Sequence, residues 1–194
     1  MFDRRKEDDM PESVIEDPVL GQRYVFRHRA DEQGADFIEV EMWVEPGGGV
    51  VPHIHPDFEE RFKVMSGQVT FGVGRDKVVA GPGDAAVVAP GVRHTYRNTG
   101  GELAHVVCEA RPPRPELQQF LEDAAALGRA GKYTRRGLPK SFSGLLCLAV
   151  MARHYRPTTR ILSPPVFLQR LVLDPFARLG ERRGYRPGSF AQST

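Results

Sequence analysis

Two stretches decide the fold: GGGVVPHIHPDFEERFKVMSG at residues 47–67 and GDAAVVAPGVRHTYRN at residues 83–98. Apolar and polar side chains alternate in both, and a period of two marks a half-buried strand. In Glu60-Arg61-Phe62-Lys63-Val64, Phe62 and Val64 take one face and Arg61 and Lys63 the other. That phase puts Glu60 with the apolar pair and Glu59 with solvent. In Val92-Arg93-His94-Thr95-Tyr96-Arg97 the two arginines point outward, so Val92, His94 and Tyr96 point inward. His53 and His55 are two apart and, in extended chain, share a face with Val51. Four ionisable groups are thus aimed into a β core. An uncompensated charge there is costly, so such groups are paired or hold a metal. Three imidazoles and one carboxylate suit a divalent transition ion.

The pattern extends on both sides of these stretches. From about Arg23 to Arg111, short runs rich in Val, Phe and Thr are punctuated by EPGGG, SGQ, GVGRD, AGPGD, APG and NTGG. Turn signals this frequent, with no helical stretch between them, predict a small sandwich or barrel. After RPPRP the period changes: Leu117, Phe120, Leu121 and Ala124 fall at i, i+3, i+4 and i+7 of an amphipathic helix. A second helix is expected from about Ser141 to Tyr155. A third is expected to start at Ser163-Pro164, an N-cap followed by proline, and to kink or end at Pro175. Residues 1–19 are polar and charge-dense and read as a mobile arm. The expected organisation is therefore an arm over 1–19, a β-barrel over 20–112 and a helical C-terminal extension over 113–194.

Composition narrows the class. With 40% hydrophobic and 27% charged residues among 194, the chain is neither disordered nor fibrous, and it is long enough to bury a real core. Its two cysteines, Cys108 and Cys147, exclude a disulfide scaffold and a cysteine-built zinc finger. No apolar run is long enough to span a membrane. The start, MFDRRKEDDMPES, has no apolar stretch of the kind a secretory signal needs, so a cytoplasmic location is expected. Charge is divided: residues 1–110 hold 12 Lys+Arg against 20 Asp+Glu, and residues 111–194 hold 15 against 5. Opposite halves attract within a chain or across a dimer. The basic residues of the tail are mixed with apolar ones and accompany no recognition motif, so nucleic acid is not an expected partner.

In its spacing the chain resembles the cupins. Gly47 is followed after five residues by His53-Ile54-His55, after four more by Glu60, and after six more by Gly67. Gly83 is followed after five residues by Ala89-Pro90-Gly91, after two by His94, and after three by Asn98. Ala89 stands where the second motif has proline, a turn residue rather than a ligand. The resemblance covers about residues 35–112. It implies a mainly β fold, a double-stranded β-helix or jelly roll whose mouth holds one divalent metal on His53, His55, Glu60 and His94. Iron, manganese or nickel is expected; zinc and copper stay open, but no thiolate selects them. The tail resembles, loosely, extensions in a quercetin-dioxygenase-like group, and a homodimer is the family habit.

Val40, Met42, Val51, Phe62, Val64 and Val92 would line an apolar pocket suited to a small aromatic or enolic substrate. Glu60 and Tyr96 are the candidate catalytic residues, Tyr96 as a donor to a bound oxygen anion. The first expectation is a mononuclear oxygenase. The alternatives are a redox-neutral isomerase, lyase or cyclase and a non-catalytic small-molecule binder. His28 and His105 read as surface or packing residues, and Cys108 and Cys147 as inert buried thiols. From Phe37 to Glu45, Ile38, Val40, Met42 and Val44 face inward. Phe37, Glu39, Glu41, Trp43 and Glu45 form an outer acidic-aromatic face. Either the basic tail or a partner subunit covers it, or it is an ordinary solvated face.

Overall fold

Each period-two segment folds as a strand, and the two halves of the barrel close around their shared apolar face. The structure is a computed structural model that describes residues 13–162 and 165–190. Its strands are β1 (Ser13–Asp17), β2 (Gln22–Ala30), β3 (Asp36–Val44), β4 (His53–Ile54), β5 (Glu59–Ser66), β6 (Val69–Val73), β7 (Asp76–Ala80), β8 (Ala85–Val88), β9 (His94–Asn98), β10 (Ala104–Arg111) and β11 (Arg160–Ile161). The helices are α1 (Pro115–Arg129), α2 (Phe142–His154) and α3 (Val166–Arg182). One sheet runs β1-β2-β3-β10-β5-β8, and the other runs β11-β4-β9-β6-β7. All strand pairs are antiparallel, as in a jelly roll.

Inward positions of facing strands fill the barrel: Ile38, Val40, Met42 and Val44 of β3, Phe62 and Val64 of β5, Val106 and Cys108 of β10, and Phe71 and Tyr96 from the second sheet. The β5–β6 turn needs glycine at Gly67. Its φ is +78°, and a Cβ there would lie 2.7 Å from Ala104 Cα, inside van der Waals contact.

The tail makes a second core. Leu127, Cys147, Val150, Met151, Tyr155 and Ala177 are buried together, with Val19 and Leu20 packed against them. Ser141 caps α2, its hydroxyl accepting from Gly144 N at 3.1 Å. The Asp123 carboxylate, fully buried, accepts from Tyr155 OH at 2.7 Å and from Gly188 N at 2.9 Å.

Three expectations need correction. Residues 1–12 of the expected arm lie outside the described residues, but 13–17 form β1, paired with β2. Asp17 is buried and binds the amides of Val19 and Leu20 and the Tyr133 hydroxyl, so this segment joins barrel to tail. Ser163 and Pro164 also lie outside the described residues. Among the described residues α3 begins at Val166, after Pro165, and of the two outcomes expected at Pro175 it does not end there but runs through to Arg182. Proline removes one intrahelical hydrogen bond, and the buried Ala177 and Gly180 beyond it, the latter packed on Val150 and Leu146, hold the helix in place.

The third correction concerns the outer face of β3, which its neighbouring strands cover rather than the tail. Arg27 of β2 reaches Glu39 and Glu41, and Arg29 reaches Glu39. Arg23 lies over Trp43, His105 of β10 stacks on Trp43, and Arg111 lies over Phe37. Opposite charges between the two halves of the chain do meet, as Arg111 with Asp31 and Arg114 with Asp57. No helix among the described residues is long and apolar enough to cross a membrane.

Candidate metal centre and its cavity

Cross-strand pairing assembles the four groups that the period-two phase selects. β4 and β9 pair His53 directly with His94. His55 follows β4, and Glu60 faces them from β5 in the other sheet. One ligand atom from each of the four residues lies within 4.8 Å of all the others. His94 Nε2 is 2.8 Å and His55 Nε2 3.4 Å from Glu60 Oε2. Glu59 turns outward to Arg61, as its phase requires.

The ring tautomers suit a cation. His53 Nδ1 meets Val51 O at 2.9 Å, His55 Nδ1 meets Thr158 O at 3.0 Å, and His94 Nδ1 meets Val92 O at 3.0 Å. A carbonyl only accepts, so each Nδ1 carries a hydrogen and each ring turns its Nε2 inward. Glu60 Oε2 and His94 Nε2 are buried and make no aligned hydrogen bond, although they are at ion-pair distance. Orphaned polar atoms converging on one point are what a divalent ion satisfies.

Electrostatics agree. Burial, then the His94 and His55 rings, push His53 down to about 3, so it stays neutral. Burial also lowers His55. Burial would raise Glu60, but the His55, His94 and His53 rings outweigh it and hold the carboxyl at about 2. For His94, burial acts downward, and the Glu60 carboxylate overrides it and raises the pKa. Without an ion, one proton on His94 neutralises Glu60; a bound cation takes that proton's place.

His53, His55 and Glu60 lie in the wall of a cavity of about 300 Å³ between barrel and tail, while His94 stands behind them. From the barrel, Val40, Met42, Val51, Phe62 and Tyr96 line it. Val64 is fully buried in the barrel core and Val92 packs against that core; neither lines the cavity. Tyr96 OH donates to Gln22 Oε1 at 2.5 Å. Burial pushes its pKa well up, so it stays a neutral donor. The remaining wall is the tail, with Leu117, Phe120 and Leu121 of α1, Leu148 and Met151 of α2, and Leu173 of α3.

Three contributors are not marked in the sequence. Thr158 O fixes the His55 ring and the Thr159 hydroxyl lies 3.3 Å from the same nitrogen, while β11 pairs with β4 beside His53. Cys108 Sγ sits 3.8 Å from Glu60 Oε1, and burial raises its pKa. Tyr24, fully buried, faces the cavity with its hydroxyl unpartnered. Alternation in β10 marks Cys108 as inward; only the β10–β5 register puts it beside Glu60. His105 is a packing residue, stacked on Trp43.

Residues 40–108 match the family model described as a cupin domain. No curated protein matches the chain. Among solved structures, it is similar to an RmlC-like cupin from Shewanella frigidimarina at 20% identity and a TM-score of 0.47, over 55% of this chain and 89% of the other. It is similar to KdgF from Halomonas sp. at 17% identity and a TM-score of 0.46, over 60% and 96% of the two chains. It is also similar to the Streptomyces nucleoside dehydratase Pac13 at 21% identity and a TM-score of 0.44, over 54% and 79%.

Proposed function

We propose that this cupin domain is a mononuclear metal-dependent oxygenase of the quercetin-dioxygenase-like kind, acting on a small aromatic or enolic compound held between barrel and tail. The observation that carries the reading is the convergence of three imidazole Nε2 atoms and the Glu60 carboxylate beside an apolar, tail-covered cavity. A divalent transition ion bound there supplies Lewis acidity and electron transfer toward dioxygen. The chain's residues do the rest. His53, His55, Glu60 and His94 hold the ion and leave positions open to ligands. Phe62, Val40, Leu117 and Phe120 grip the apolar body of the substrate and exclude water. Tyr96, kept protonated, turns its hydroxyl from Gln22 to a substrate oxygen. The groups facing the cavity beside the ligands, Tyr24, Tyr96 and Cys108, are all held protonated by burial. None is a ready base, which favours oxygenation over a proton-shuttling isomerisation.

The test is dioxygen uptake by the iron-, manganese- or nickel-loaded protein with catechols, flavonols and 1,3-diketones. Substrate-dependent uptake with about one metal per chain is expected. Turnover in strict absence of dioxygen would instead make the protein a redox-neutral isomerase, lyase or cyclase. Ligand binding that survives metal removal, without turnover, would make it a binding module.

A further inference from the structure

The outward face of β9 borders a second cavity. Along this strand His94 and Tyr96 are buried, while Arg93 and Arg97 are exposed on the opposite side. There a groove of about 670 Å³ runs between the five-stranded sheet and the α1–α2 connection. Six cations border it: Arg75, Lys77, Arg93, Arg97, Arg135 and Arg136. Asp76 is the single acid among the lining residues.

Elsewhere in this chain arginines find carboxylates, as Arg27, Arg111, Arg114, Arg153 and Arg156 do. Among the described residues, none of the six makes an ion pair. Two of them also converge. A Cβ on Gly47 would lie 3.8 Å from Arg97 Nη2 and 4.0 Å from Arg135 Nη1, so guanidinium groups from barrel and tail flank one glycine. Gathering like charges destabilises the folded chain, and an anion lying between them reverses the sign.

The lining selects the kind of anion. Six cations exceed what a carboxylate or a single phosphate needs, and arginine forks match phosphoryl oxygens in pairs. Threonine and glycine, among them Thr70, Thr99 and Gly72, make up much of the rest. No exposed aromatic ring lines the groove, and single-stranded nucleic acids depend on such rings for stacking. A concave site of this volume matches a small molecule rather than a duplex or a flat bilayer. We propose that this groove binds a soluble organic polyphosphate, such as a nucleoside di- or triphosphate, with Arg97 and Arg135 gripping the phosphates beside Gly47. The groove's cations lie on the outward side of β9, but His94 and Tyr96 also border it, so metal content and anion binding are measured separately.

Calorimetric titration of the full-length protein with pyrophosphate and with ATP tests it, metal content being measured before and after. One equivalent should bind, more weakly as salt rises. The double variant Arg97→Glu/Arg135→Glu should bind at least about tenfold more weakly. The single exposed change Arg75→Gln should give a smaller loss. Lys63→Glu, an exposed charge reversal on the other sheet, should change nothing. Four results would each overturn the proposal: absence of binding, equal loss in Lys63→Glu, loss that follows metal removal rather than the arginines, or arginine-dependent binding that prefers duplex DNA or anionic vesicles to ATP.

Discussion

Barrel and tail are stabilised by different means. The barrel core is almost wholly apolar, with aromatic and β-branched side chains from alternate strand positions. Its one large polar intrusion is the His53–His55–Glu60–His94 cluster. The tail packs small residues such as Ala126, Ala149 and Ala177 among its larger ones and fixes its elements with the buried Asp123 carboxylate, while Asp17 at the end of β1 ties barrel to tail. One buried carboxylate thus faces imidazoles in the barrel, and another faces hydroxyl and amide donors in the tail. The same chemical group meets different partners, and geometry separates the cases. Asp123 spends its oxygens on neighbouring donors, whereas Glu60 and His94 leave atoms facing one another with no aligned hydrogen bond.

The contrast is most sharply broken or upheld at the metal cluster. Glu60→Ala and His94→Ala should each drop bound metal from about one equivalent to less than a tenth, while circular dichroism retains its sheet signal. Stoichiometric metal in both variants, by elemental analysis, would remove the chemical reading of the barrel. In the tail, Asp123→Ala strands the Tyr155 hydroxyl and the Gly188 amide. It should cost roughly 2–4 kcal/mol in denaturant unfolding yet leave metal content unchanged. A shared loss of metal would mean the two regions are not separable.

The joint between them is subtler. Thr159→Pro removes the Thr159 N–H bond to Tyr155 O and bars Thr158 from a turn conformation, moving its carbonyl off His55. Metal affinity should fall about 10–100-fold, the usual effect of losing a ligand's outer partner. The pH dependence refines the same point. The His94 pKa is raised above the ordinary 6.5, so its proton competes with the metal from somewhat above that pH downward. Affinity should be flat in alkali and then fall by about a decade per pH unit below the His94 pKa, as one proton is released per metal bound. His53, neutral down to about pH 3, adds no competition at these pH values. The smallest effect belongs to the outer face of β3: Arg27→Ala, which releases Glu41 and leaves Glu39 with Arg29, should cost no more than ~1 kcal/mol in the same unfolding assay.

Legibility followed the same divide. Strand phase separates Glu60 from Glu59 and turns His94 and Tyr96 inward, because neighbours in a strand must face opposite ways. Helical period finds α1, and α2 lies within its expected span from Ser141 to Tyr155. What local pattern omits is pairing between distant segments. Nothing near Thr158 or Ile161 records that β11 lies beside β4, nor that Leu117 and Phe120 roof the metal cluster. Alternation puts the acidic and aromatic residues of β3 on one face, but their partners come from β2 and β10, whose register no local period encodes.

The β11–β4 pairing has a consequence in time. Ribosomes make about 5–20 residues per second, and domains tend to fold as they emerge. β10, the last barrel strand, ends at Arg111, and β11 begins at Arg160. For several seconds a nascent barrel displays its histidines at an open mouth, before the chain that roofs them exists. An ion captured in that interval would be sealed in by later translation, so the metal found in the mature protein would record which ion was abundant where it was made.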